Sequence, residues 1–147
     1  MSKIILLDAG PLGMITHPRK NPDIKAWMGN LVRFGAIVRV PEIADYEVRR
    51  ELLRAGKTKS IQRLNALRLL IGYIPITTDV MLKAAEFWAQ ARNQGQPTAD
   101  NKALDADVIL AAQAFIIMSE GEEAVIATTN VSHLSRFVPA KVWNEIP

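Results

Sequence analysis

Cysteine is absent from this sequence of 147 residues, and histidine occurs only twice. The first absence excludes a disulfide framework and a thiolate zinc site, and the second leaves no histidine pair with metal-ligand spacing. No hydrophobic run is long and uncharged enough to span a membrane. The residues Met1-Ser2-Lys3 lead directly into a short apolar run and lack the apolar length of a signal peptide. We therefore expect a cytoplasmic protein without a membrane partner.

Neither sign of charge is in large excess, because the net charge is only +3. Hydrophobic residues make up 49% of the chain. The length suits a single domain spanning residues 1–147. Apolar β-branched runs predict strands at 3–7, 36–40, 73–76 and 124–128, and the tail at 138–146 predicts a further short one. Helical periodicity fills the intervals between these strands. This alternation predicts an α/β fold whose mostly parallel sheet has helices on both faces.

One predicted helix, over residues 104–118, is apolar on almost every side and is expected to be buried. Its beginning nevertheless contains Asp105 and Asp107, which are about 200° apart on the helical wheel and cannot share a face. Both are predicted to lie in the first turn, where an acid stabilises the positive end of the helix dipole. The alternative is that one of them belongs to a metal site within the core.

Polar side chains from four distant segments are predicted to meet at one edge of the sheet. Asp8 ends the first strand and Asn130 follows the strand at 124–128, and ligands of parallel sheets bind outside the carboxyl ends of strands. Glu47 lies on the helix after the second strand, and Asp107 lies at the start of the buried helix. Clustered carboxylates raise one another's pKa, and a hard cation relieves the repulsion. The all-oxygen set favours Mg²⁺ or Mn²⁺ over zinc.

Four short motifs give this chain a resemblance to the PIN-domain ribonucleases, especially the VapC-type toxins of prokaryotes. The resemblance covers nearly the whole chain and rests on residues 6–9, 43–50, 107–114 and 128–130. The most specific motif is Asp107 followed by an apolar helix with an Ala-Ala-x-Ala pattern. The resemblance implies a single PIN-like domain that cleaves RNA with Mg²⁺ or Mn²⁺, forms a homodimer and pairs with an antitoxin.

By that similarity Asp8, Glu47 and Asp107 are the expected metal ligands, and Asn130 completes the catalytic set. Asn130 stands where many family members have an aspartate, which weakens the case for a second metal ion. Asp105 is an additional acid, which either serves as a further metal ligand or stabilises the helix start. His17 and His133 are isolated histidines and are assigned no role.

A basic run begins at Arg49, on the predicted helix that follows the second strand. Its candidate RNA-phosphate ligands are Arg49, Arg50, Arg54 and Lys57, since Lys and Arg supply most of the affinity for nucleic-acid backbones. The same run could instead be a solvated helix face or contact an acidic protein partner. Nothing in it predicts base recognition.

Two other function classes fit part of the pattern. An aspartyl-phosphate phosphatase also has an aspartate at its first strand end, but it needs a second acid where this chain has Gly10. A degenerate PIN-like module would bind RNA or protein without cleaving it, and Asn130 keeps that alternative open.

Overall fold

The computed structural model describes residues 3–95 and 101–147, with only the main chain described for 101–103. Five strands form one sheet: β1 (Lys3–Leu7), β2 (Ile37–Pro41), β3 (Tyr73–Ile74), β4 (Glu123–Thr128) and β5 (Ala140–Val142). Six α-helices connect them: α1 (Ala9–Thr16), α2 (Pro22–Arg33), α3 (Glu42–Ala55), α4 (Thr58–Ile71), α5 (Thr78–Asn93) and α6 (Asn101–Ser119). No described helix is long and apolar enough to cross a membrane.

The sheet has the order β3-β2-β1-β4-β5, and every pairing within the described residues is parallel. β1 is therefore the central strand, and its residues pair one by one with β4 from Lys3↔Glu123 to Leu7↔Ala127. Because all strands run in one direction, their carboxyl ends meet at one edge. The predicted α/β fold with a parallel sheet is confirmed.

Side chains of the central strand alternate between two helical layers. Ile5 and Leu7 pack against α1 to α4, whereas Leu6 packs against α5 and α6 on the opposite face. Both faces of the sheet are thus buried, which accounts for the unbroken apolar character of β1. Gln113, the polar residue of the otherwise apolar α6, is fully buried and its amide donates to the carbonyl of Ile74 at 2.7 Å.

Helix α1 is the main element that the sequence does not predict. Gly10 and Pro11 suggest a break after β1, yet the helix begins at Ala9. Proline is tolerated here because the first turn of a helix needs no intrahelical bond from its N–H groups. A Cβ atom on Gly10 would lie 3.0 Å from the hydroxyl oxygen of Thr129, so this glycine allows α1 to start close to the end of β4.

Helix α6 begins earlier than predicted, at Asn101 rather than Leu104. Asp105 and Asp107 therefore lie in its second turn, and the prediction that both belong to the first turn is wrong. The dipole interpretation of these acids fails with it, because that effect is confined to the first turn. The terminal strand is also shorter than predicted, since only Ala140–Val142 pairs with β4. Most of the predicted polar loop at 96–102 lies outside the described residues.

Candidate active site

Asp8 lies at the centre of the sheet edge, between the end of β1 and the start of α1. Its carboxylate is held from two sides: the Ala9 amide donates to Oδ1 and the Thr128 hydroxyl donates to Oδ2, each at 2.7 Å. Burial raises the pKa of Asp8, and these two hydrogen bonds lower it in part. The carboxylate is therefore fixed in orientation although its charge is poorly solvated.

Glu47 and Asp107 are close enough to Asp8 for their charges to interact. The pKa of Glu47 is raised to about 7, mainly by burial and then by the charge of Asp8; Arg50 opposes this rise, and Asp107 adds a smaller contribution to it. Burial likewise raises the pKa of Asp107 to about 7, with Asp8 again contributing and Arg136 opposing. The structure thus brings together three of the four predicted catalytic residues, from β1, α3 and α6.

The fourth, Asn130, is exposed and reaches the acids through a histidine. Its side-chain nitrogen lies 3.1 Å from Nδ1 of His133, and that Nδ1 lies 3.5 Å from Oδ2 of Asp107. The Asn130 amide donates to the Thr128 hydroxyl oxygen at 2.9 Å, and that hydroxyl in turn contacts Asp8. The segment 128–133 therefore contacts two of the three acids. His133 has no sequence signal, because its place depends on the short 3₁₀ turn over Val131–His133.

Asp105 is not brought to the other acids. It is exposed and lines a cleft of about 410 Å³ between α5 and α6, beside Met81 and Trp88. The separation follows from helix geometry, since residues two positions apart point in nearly opposite directions.

The carboxyl groups that neighbour Glu47 in sequence have other partners. Glu42 accepts hydrogen bonds from the Tyr73 hydroxyl at 3.0 Å and the Ile76 amide at 2.7 Å. Glu51 is exposed and forms an ion pair with Arg54 at 2.8 Å. Of the acids on α3, Glu47 is accordingly the one whose pKa responds to Asp8.

The predicted RNA-binding cations differ in how accessible they are. Arg49 is held by Asp45, which is only 4% exposed, at 2.8 Å, so it is part of a structural ion pair. Arg50 lies over the Tyr46 ring at 5.2 Å and is near enough to Glu47 to lower its pKa. Arg54 has an exposed side chain, and Lys57 is exposed in the turn between α3 and α4.

The residues at the sheet edge suit a hard cation in chemical type. All three acids supply oxygen ligands, as Mg²⁺ and Mn²⁺ prefer. Among the side chains that the structure describes, no three Asp, Glu or His residues form a group compact enough to hold an ion together. Mg²⁺ commonly takes one or two carboxylates directly and retains several waters, so ligands for such an ion need not form a group of three.

The sequence matches no protein-family model and no curated protein. Three similar solved structures are VapBC2 from Rickettsia felis bound to a promoter DNA fragment, FitAcB from Neisseria gonorrhoeae, and VapC20 from Mycobacterium tuberculosis, described as a sarcin-ricin loop cleaving toxin. The first has a TM-score of 0.73 and 12% identity over 94% of this chain and 97% of its own. The second has a TM-score of 0.70 and 21% identity over 97% and 99%, and the third 0.61 and 14% over 91% and 96%. This chain therefore has the fold of the VapC-type PIN domains, as its acidic motifs predict.

Proposed function

We propose that this protein is a divalent-metal-dependent endoribonuclease and the toxin of a toxin–antitoxin pair. The observation that supports this most is the meeting of Asp8, Glu47 and Asp107 at the carboxyl edge of the sheet, where each has a raised pKa. Raised pKa values of clustered carboxylates are typical of catalytic sites. The fold shared with a toxin that cleaves the sarcin-ricin loop favours RNA as the substrate.

Asp8 and Asp107 are the residues that would hold Mg²⁺ or Mn²⁺, with Glu47 interacting directly or through water. When bound, such an ion supplies Lewis acidity at the phosphoryl group and lowers the pKa of a water molecule. The chain's own contribution is to keep the ligands in place. The Thr128 hydroxyl and the Ala9 amide fix both oxygens of Asp8, so this carboxylate needs little reorganisation on metal binding.

Glu47 is the residue best suited to accept a proton from the attacking water. The pKa of Glu47 is raised to about 7 without metal, and a neighbouring cation would lower it, which would keep the carboxylate ionised and able to accept a proton at neutral pH. The water oxygen attacks phosphorus, its proton passes to Glu47, and the bond from phosphorus to the leaving oxygen breaks. The leaving oxygen takes a proton from solvent. Arg50, beside Glu47, is placed to contact a phosphate oxygen of the substrate.

The proposed substrate is single-stranded RNA, whose backbone and bases are accessible to a shallow site. The proposed partners are an antitoxin protein and a second copy of the chain, and the cytoplasm is the proposed compartment. An antitoxin is supported by the fold shared with VapBC and FitAB proteins that were solved with DNA fragments.

The test is cleavage of single-stranded RNA by the purified protein with Mg²⁺ or Mn²⁺, with and without chelator. We expect cleavage that chelator abolishes and that Asp8→Asn reduces by orders of magnitude. Double-stranded DNA of the same sequence is the control substrate. RNA binding without cleavage in either metal would contradict the proposal and favour the degenerate binding module.

A further inference from the structure

A second concave site lies at the far ends of α1 and α3, away from the acids. It is a pocket of about 480 Å³, which we call the basic pocket; its cationic lining residues are Arg19, Lys57 and Lys59, and His17 lines it as well. Its remaining lining residues include the apolar Pro18 and Leu52, and none is acidic. The volume is within the range of small-ligand sites in proteins.

The positive side chains of the basic pocket are not neutralised by nearby acids. Within residues 3–95 and 101–147, no carboxylate forms an ion pair with Arg19, Lys57 or Lys59. Arg19 and Lys59 belong to different elements, the turn after α1 and the first turn of α4, and both are exposed. Two chain segments thus present unpaired cations to one cavity.

His17 organises the wall of the basic pocket. Its Nδ1 accepts hydrogen bonds from the amides of Arg19 and Lys20, each at 3.1 Å, and its carbonyl accepts one from the Lys25 ammonium group. Desolvation lowers the pKa of His17, and the charges of Lys20, Lys25, Lys57 and Arg19 lower it further. Its ring therefore serves as a hydrogen-bond acceptor that shapes the turn and directs Arg19.

Two helices connect this pocket to the acids. Asp8 and His17 flank the two ends of α1, and Glu47 precedes Gly56, which follows the end of α3, by a similar distance; the two helices pack side by side. Each span is nine residues, or about 13 Å at the rise of an α-helix. Arg50 follows Glu47 on the same face of α3 and contributes positive charge between the two sites, whereas the charge of Arg54, one turn further, is offset by its ion pair with Glu51.

We propose that the basic pocket binds a backbone phosphate of the RNA substrate, a few nucleotides from the phosphate that is cleaved at the acids. This rests on the proposed ribonuclease function. The unpaired cations suit a phosphodiester, and Pro18 and Leu52 offer an apolar surface to a ribose or base. α4 has no side-chain cap and no acid in its first turn, so its positive end adds to the attraction.

The test compares Arg19→Gln/Lys59→Gln with the matched control Lys3→Gln/Lys141→Gln, which removes the same charge from two exposed strand positions. Affinity is measured by fluorescence anisotropy with a 2′-O-methyl single-stranded RNA that the protein cannot cleave. We expect the pocket variant to bind about fivefold to tenfold more weakly, and the control to match wild type. The slope of log K against log salt concentration should become shallower by about 0.7 for each phosphate that the variant no longer neutralises.

Kinetics separate this pocket from the acids. With cleavable RNA, the pocket variant should raise KM and leave kcat unchanged, and Arg19→Lys/Lys59→Arg should restore KM. A melting temperature equal to wild type shows that the variant is folded.

If the pocket variant matches the control while wild type still cleaves RNA, the inference is overturned and the proposed function stands. Polyglutamate, which imitates an acidic protein partner, is measured as a second probe. If the pocket variant loses polyglutamate binding and keeps its affinity for RNA, the inference is overturned in favour of an acidic protein partner. Wild-type protein that neither binds nor cleaves RNA would overturn both.

Discussion

Asp107 and Asp105 allow the metal-site hypothesis to be tested within one helical turn. Asp107→Asn keeps the shape of the side chain and replaces a carboxyl group, whose pKa is raised from 3.8 to about 7, with a neutral amide. A shift of about 3 units corresponds to at most ~4 kcal/mol. The Asp107 side chain is 22% exposed, so solvent screening reduces this, and we expect a stabilisation of roughly 1–2 kcal/mol above pH 7. For a chain of this size that raises the melting temperature by roughly 3–6 °C.

The sign of this stabilisation depends on pH. Above pH 7 the aspartate is charged in both folded and unfolded states, so the neutral asparagine removes the full cost of the buried charge. As pH falls towards 4, the folded protein takes up the proton and the advantage of asparagine disappears. Calorimetry of metal-free protein at a series of pH values measures this directly. RNA cleavage, in contrast, should fall by orders of magnitude in the same variant.

Asp105→Asn is the control, since Asp105 is exposed in a different cleft. We expect a change in stability within about 0.5 kcal/mol and almost unchanged cleavage. If Asp105→Asn abolished cleavage and Asp107→Asn did not, the assignment of the site to the Asp8 side of α6 would be refuted.

Three further predictions concern the same edge and the sheet. The melting temperature of metal-free wild type, measured by differential scanning fluorimetry, should fall as pH rises from about 4 to 7. Over this range the folded state loses protons bound by Glu47 and Asp107 that the unfolded state has already lost. Added Mg²⁺ should raise the melting temperature again at pH 8. Thr128→Val should raise the Mg²⁺ concentration needed for cleavage several-fold, because Asp8 loses the hydroxyl that lowers its pKa, whereas Ser119→Ala should not. Gly72→Ala should destabilise the fold by about 1–3 kcal/mol with cleavage retained per folded molecule, because Gly72 has φ of +93° and its Cβ would lie 3.0 Å from Cδ of Arg39; an unchanged unfolding midpoint would contradict this.

The pattern of strands and helices was largely predictable because each type of element places its apolar residues at a characteristic spacing in the sequence. The apolar run at Lys3–Leu7 is a local feature that identifies β1 from the sequence directly. α1 was not predictable from Gly10 and Pro11, since those residues usually end elements. Pro11 is tolerated because it lies in the first turn of α1, and Gly10 allows the close approach of Thr129, more than a hundred residues away.

The three acids could be grouped because the carboxyl ends of parallel strands meet at one edge of the sheet, although Glu47 and Asp107 lie in the second turns of their helices. The side chains around these acids could not be predicted from the sequence. The place of His133 depends on a 3₁₀ turn, and which of Asp105 and Asp107 joins Asp8 depends on which side of α6 faces the sheet. Arg49 could not be distinguished from Arg50 by composition, although only Arg49 is held by a buried aspartate.

The central position of β1 has a consequence for the order in which the protein acquires its site. β1 is made first, but its partner β4 is made about 120 residues later, and the hydroxyl that holds Asp8 belongs to Thr128. A growing chain that has not yet reached this residue has neither the β1–β4 ladder nor a fixed Asp8. Pairing over such a sequence distance is slow in folding, since the intervening loop must close first. The acidic edge therefore forms only after synthesis has passed Thr128.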